Sequence, residues 1–324
     1  MKLTKKTGIA LFSCIALIVA IVIIIHTNPA ADPTEELLKK VISCAVLIAA
    51  DLIFAKWYDK FTGLPVELYQ NRHLIWKLAK NDFKKRYAGS YFGALWALAQ
   101  PVVTVGMYYV VFDKIMGNVS RTKEAPFVLF LTAGLVPWFY FNEALNSGTN
   151  ALREYDYLVK KVVFKISVLP IIKIIAATFI HIFFIGILLV VAAIYNYYPT
   201  IYTVQIIYYS FCLFIFVLAL CYTTCAVVVF FKDLSQIINI GLQIGMWATP
   251  ILWDINTIPP KWQMIVKLNP LVYIVNGYRS AIYGKEWFFQ DFFSTMYFWI
   301  ATVVLFGLGA MVFKRLKVHF ADVL

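Results

Sequence analysis

Stretches 8–25, 92–116, 126–145, 168–195, 206–231 and 292–313 are mostly apolar, and none is shorter than 18 residues. A hydrocarbon core about 30 Å thick takes about 20 helical residues to cross. In lipid every backbone N–H and C=O must find its partner inside the chain, so such runs fold as helices. Two weaker runs, 41–55 and 237–252, raise the expected count to eight. The first of them is only 15 residues long and contains Asp51. It is needed because the chain must return to the side from which run 8–25 started. The second is interrupted at Ala248-Thr249-Pro250. The predicted class is an all-α integral membrane protein with about eight transmembrane helices. A chain that is 62% hydrophobic and 14% charged agrees with this and excludes an ordinary soluble domain.

Charge sets the orientation. The chain carries 29 basic and 17 acidic residues, net +12. In a soluble protein that excess would suggest nucleic acid; here the basic residues sit at the ends of apolar runs. With both termini cytosolic, 19 Lys and Arg fall inside and nine outside, with Lys173 within a run. That split obeys the positive-inside rule, and no nucleic-acid partner is needed to explain the charge. Lys2, Lys5 and Lys6 before run 8–25 also fit a signal peptide cleaved near Pro29-Ala30-Ala31. The run exceeds a usual signal core and more membrane follows, so we read an uncleaved span.

Residues 72–100 combine two behaviours. At 100° per residue, Ile75, Trp76, Ala79, Phe83 and Tyr87 fall on one side of a helix over 72–87. His73, Lys77, Lys80, Asn81, Lys84 and Lys85 fall on the other. Such a helix suits a membrane surface, rings in the headgroup boundary and ammonium groups toward lipid phosphates. Gly89-Ser90 and Gly93 then interrupt it, and a span begins. An ordinary juxtamembrane anchor has the same pattern, and the residues alone do not separate the two.

Catalytic chemistry is sparse. Histidine occurs only at 26, 73, 181 and 319, and no HExxH, GxSxG or paired-carboxylate pattern appears. Gly284-Lys285 lacks the rest of a phosphate-binding loop. Any ATP hydrolysis therefore belongs to a separate subunit, and the chain itself calls for no cofactor. The five cysteines, including the i,i+4 pair Cys221 and Cys225, lie in apolar runs without acid or histidine neighbours at metal-ligand spacing. Asp51, Lys173 and His181 are ionisable residues within spans, functional suspects by default. Lys173 lies near the inner end of its run and can snorkel to the interface. Trp96, Tyr108, Tyr109, Trp138, Tyr140 and Trp247 place rings inside spans. Ring-lined channels pass sugars over their faces, yet packing and interface belts use the same residues.

Four stretches carry a resemblance: LIWKLAKNDFKKRYAGSYFGALWALAQP (74–101), GLVPWFYFNEALNSGTNALREYDYLVKKVVFKISVLPI (134–171), FFKDLSQIINIGLQIGMWATPILWD (230–254) and LNPLVYIVNGYRSAIYGKEWF (268–288). They resemble the membrane permease of ATP-binding-cassette exporters for surface polysaccharides and polyol phosphates: O-antigen, capsule and teichoic acid. The resemblance covers about residues 65–324 and divides the chain. Residues 1–60 become two additional N-terminal spans, 61–91 the amphipathic interfacial entrance helix, and 92–324 the six-span transmembrane domain. It implies a bacterial cytoplasmic-membrane protein that pairs with a second copy of itself and with an ATP-binding-cassette ATPase holding ATP and Mg. The substrate implied is a lipid-linked glycan drawn from the surrounding membrane lipids.

Residue roles follow by the same resemblance. Lys77, Lys80, Lys84, Lys85 and Arg86 would meet the diphosphate of a polyprenyl-linked glycan. Residues 152–163 look like the helix that docks in the ATPase, with Arg153, Glu154, Tyr155, Asp156 and Lys160 at the contact. Trp96, Tyr108, Trp138, Tyr140 and Trp247 would line the channel. Residues 253–287 look like re-entrant outer helices, broken by Pro250, Pro259, Pro260 and Pro270. The competing readings are an exporter of drugs or small lipids, an ATP-independent scaffold or scramblase, and a membrane-embedded transferase. The last lacks the clustered acids it would need.

Overall fold

A computed structural model describes residues 5–25, 33–56, 58–86, 93, 95–115, 125–160 and 165–324. Among them every regular element is helical. Five helices are long and apolar enough to cross a bilayer: Lys5–Ile25, Phe127–Glu154, Ile166–Ile194, Ile201–Phe230 and Phe292–His319. The other three expected spans are also helices, but shorter or more polar.

The chain forms two compact units, Met1–Gln70 and Asn71–Leu324. The first holds α1 (Lys5–Ile25), α2 (Pro33–Lys56) and α3 (Tyr58–Gln70). Helix α2 starts earlier than its apolar run, because Pro33 suits a first helical turn. Helix α3 is an element that the apolar pattern did not announce, and it contains Pro65. The acid of the marginal span has a local answer. The Ser13 hydroxyl donates to both Asp51 carboxylate oxygens, at 2.8 and 3.0 Å. Phe12 stacks on Phe54 at 4.1 Å, and Phe54 meets Tyr58 edge-on at 5.5 Å. Ser13→Ala should destabilise this unit by about 1–3 kcal/mol, because it strands a carboxylate in apolar surroundings. Adding Asp51→Leu should restore most of the loss, read by thermal unfolding in detergent.

The second unit begins with α4 (Arg72–Arg86) and α5 (Leu95–Tyr109). A π-helical turn, Val110–Ile115, continues α5. The two together reach roughly 30 Å, a hydrocarbon thickness. Between α4 and α5, Gly93 takes φ +50°, which favours glycine and fits the expected break. Gly89 and Ser90 lie outside the described residues. The core is α6 (Phe127–Glu154), α8 (Leu169–Ile194), α9 (Gln205–Phe230) and α13 (Phe292–Leu316). Helix α6 packs on α8 and α9, and α9 packs on α13. Four-residue α7 (Asp156–Val159) follows α6, and α14 (Phe320–Val323) closes the chain.

Helix α10 (Leu234–Ala248) is only 15 residues and stops where expected, at Thr249-Pro250. The chain then turns back through α11 (Pro260–Lys267) and α12 (Pro270–Arg279). Pro260 and Pro270 open these helices at their first turns, where a missing N–H costs nothing. Helix α12 is drawn tightly onto α9: a Cβ on Gly277 would collide with the Tyr209 ring. Arg279 fixes its far end, Nη2 donating to Ile251 O at 3.0 Å and the guanidinium lying 3.5 Å over the Phe130 ring.

Candidate functional site

The basic helix α4 lies on α8. Ile75 and Ala79 are buried, and the Phe179 ring receives the edges of Trp76 and Phe83 at 5.4 and 5.6 Å. The apolar side expected to meet headgroups thus meets a helix as well. Tyr87 falls outside the described residues. Lys77, Lys80, Lys84 and Lys85 are exposed, and the Lys80 ammonium lies 5.2 Å over the Trp76 ring. Arg86 pairs with Glu143 of α6 at 2.5 Å, both half-exposed.

A second acidic contact is deeper. Lys173, near the start of α8, is 8% exposed. Its ammonium reaches Asp82 of α4 at 2.7 Å and Glu154, the last residue of α6, at 2.6 Å. It also sits 4.8 Å over the Tyr155 ring. The Tyr155 hydroxyl in turn donates to Asp82. Burial, together with the carboxylate it faces, raises the phenol above its usual range, so it stays a donor. One cation therefore ties three elements. The Asp82 arm is the strong one, because the Asp82 side chain is 15% exposed against 51% for Glu154.

The same end gathers α10. The Ser235 hydroxyl donates to the Asn150 side-chain oxygen Oδ1 at 2.9 Å, and Arg153 Nη1 lies 3.5 Å from that oxygen. Asn150 donates one turn back to Asn146 O at 3.0 Å, and Thr149 pairs with Thr224 of α9 at 2.7 Å. Arg153 and Lys160 are exposed, and Asp156 accepts from Tyr157 N at 2.6 Å. Residues 161–164 of the expected docking segment lie outside the described residues.

The five ring residues divide. Trp96 and Trp247 are exposed and Tyr108 is half-buried. Trp138 and Tyr140 are buried within the bundle. Trp138 packs on Phe141 at 5.7 Å, and Gly245 leaves room for its ring. Tyr140 stacks on His181 at 4.5 Å and bonds Thr178 at 2.9 Å. His181 is held by Tyr278 at 2.8 Å, and no group of three metal ligands forms among the described residues.

Asp82 and Glu143 are the site residues that sequence reasoning missed, and Lys173, singled out there as a suspect, was given no partner. The signal was present: Asp82 is the single acid in a helix of six Lys and Arg, and Lys173 the single Lys or Arg in α8. Each wanted a partner, but the partners are 91 residues apart.

Residues 73–283, most of the chain, match the ABC-2 type transporter family. The chain belongs to that family. Family members are the membrane subunits of transporters, and this ABC-2 chain is also similar to named export permeases. It is 29% identical over 258 residues to the O-antigen export system permease protein RfbA of Myxococcus xanthus, covering 79% of this chain and 97% of that one. It is 28% identical over 257 residues to the protein of the same name from Klebsiella pneumoniae, covering 78% and 95%. The match begins at α4, so in this ABC-2 chain the lysine-bearing helix, the charged junction, α11 and α12 all lie within the shared region.

Proposed function

We propose that this chain is the membrane subunit of an ATP-driven exporter that moves a polyprenyl-diphosphate-linked surface polysaccharide or teichoic acid across the bacterial cytoplasmic membrane. Two copies form the channel, and two copies of a separate ATPase drive it. All eight apolar helices cross or enter the bilayer, with both termini in the cytosol. The named O-antigen export permeases support the polysaccharide.

The observation that carries the ATP-driven reading is the junction at Lys173. It joins the lysine-bearing helix to the segment proposed to dock in the ATPase, through Asp82, Glu154 and Tyr155. A push on residues 152–160 then moves α4 directly. Lys77, Lys80, Lys84, Lys85 and Arg86 meet the diphosphate, ammonium groups acting as point-charge partners. Trp96, Tyr108 and Trp247 are the rings available to a passing glycan.

The test is co-purification with an ATP-binding-cassette ATPase from the same organism, followed by ATPase assay in lipid with and without polyprenyl-diphosphate glycolipids. A stable complex stimulated by the glycolipid is the expected result. Replacing Lys80, Lys84 and Lys85 together by Ala should raise the half-maximal glycolipid concentration at least about tenfold, the worth of one charge-assisted contact. A complex that ignores every glycolipid and answers to drugs or small lipids would move the substrate. Absence of any complex would remove the ATP-driven reading.

A further inference from the structure

At the end of the bundle away from Lys173, a cavity of about 1010 Å³ opens among α11, α12, the start of α13 and the first turns of α6 and α9. Small-molecule sites occupy roughly 300–1,000 Å³, so this one is large. Its lining alternates rings with amides: Tyr283, Trp287 and Tyr297 with Asn256, Gln263 and Asn276.

The charge on the lining argues against an anion. Asp254, Glu286 and Asp291 face Lys267 and Arg279. Arg279 is 6% exposed and spent on scaffolding: its donors go to Ile251 O at 3.0 Å and Phe130 O at 3.4 Å. Asp254 and Asp291 are likewise used, accepting from Asn256 N at 3.0 Å and Ser294 N at 3.3 Å. The side chains of Asn276 and Glu286 make no hydrogen bond or ion pair among the described residues. They are among the polar groups left to fix a ligand.

A ligand for this lining has polarised C–H faces for the rings, hydroxyls for an amide and a carboxylate, and no negative charge of its own. Ring faces are the negative side of an aromatic quadrupole and attract such C–H groups. A sugar with unmodified hydroxyls has that chemistry; a phosphate does not. We propose that the cavity is a binding vestibule for uncharged sugar units of the exported polymer, with Asn276 and Glu286 taking hydroxyls and Tyr283, Trp287 and Tyr297 forming the walls. This rests on the export reading. It adds a second substrate-binding region, at the opposite end from the lysines of α4 and specific for sugar rather than diphosphate.

The probe is a set of neutral hexose oligomers of about five units, glucan, mannan and galactan, each bearing a diazirine and neither lipid nor phosphate. The permease–ATPase complex in nanodiscs is photolabelled and the adduct mapped by mass spectrometry. Adducts between residues 254 and 297 are expected from at least one oligomer. The pair Asn276→Leu and Glu286→Gln should cut labelling about tenfold, the loss of one or two hydrogen bonds. Recovery of the variant in complex with the ATPase checks its folding. Labelling confined to other residues, labelling unchanged by the variant, or no labelling in a complex that still answers to polyprenyl-diphosphate glycolipid would each overturn the vestibule and leave the export reading standing. A complex that answers to neither probe removes both.

Discussion

Lys173→Met is expected to disconnect ATP hydrolysis from export in the permease–ATPase complex. The substitution keeps the length of the side chain and removes its charge. Among the described residues Asp82, nearly buried, then keeps only the Tyr155 hydroxyl as a partner. Removing one member of a buried ion pair costs about 3–5 kcal/mol, because the other charge stays behind. The Glu154 arm adds little, since half of that side chain is in solvent. A fall in the unfolding temperature of the complex should report the loss. Adding Asp82→Asn removes the stranded charge, and stability should return close to the starting value. Export should not return, because the cation that ties α4 to Glu154 is gone and only a neutral hydrogen bond from Tyr155 to residue 82 remains. The readout is glycolipid moved per ATP hydrolysed. If the double variant exported normally, the junction would be a folding device and its part in coupling would be lost.

The second large effect is expected at Gly309. A Cβ there would lie 2.8 Å from Ala219 O, 3.1 Å from Thr223 Oγ1 and 3.2 Å from Tyr222 Cβ. The nearest obstacle is backbone, which cannot rotate aside as a side-chain tip does. Helices in lipid associate by close contact at small residues, not by a hydrophobic drive. Gly309→Val should therefore force α13 off α9, at the upper end of the roughly 1–3 kcal/mol usual for overpacking. Gly186→Val on α8 is the control, since a Cβ there meets nothing within 4 Å. Thermal unfolding monitored by size-exclusion chromatography separates the two. Equal behaviour would mean that the α9–α13 contact yields more easily than its geometry implies.

Much of this architecture was legible before any coordinates. Helices α1, α6, α8, α9 and α13 follow from apolar length alone, because lipid offers the backbone no other partner. Helix α4 followed from its periodicity. The limits have physical causes. Helices α2, α5 and α10 are too short or too polar for length to decide what they do. A helix that is apolar all round does not disclose which ring faces inward, so Trp138 and Tyr140 could not be told from Trp96 and Trp247. The Lys173 junction was invisible as a set because its members come from separate helices, although the odd acid in α4 and the odd base in α8 were each visible. Pro260 and Pro270 were read as breakers, while their role is to begin helices; sequence marks the position of a proline more clearly than its direction.

Helix α6 is tied near its start, where Arg279 donates to Phe130 O, and touched at its finish by the half-exposed Glu154–Lys173 pair. Its 28 residues span about 42 Å, so it behaves as a strut. Pro137 is its weak point, having no N–H to return to the preceding turn. In the proposed exporter a force applied at Glu154 would reach Pro137 through a stiff lower arm of about 25 Å and bend the helix there. Above that hinge the short arm, anchored through Arg279, carries only what the proline lets through. In the proposed exporter the proportion of the two arms sets the gearing between the segment offered to the ATPase and the cavity at the other end.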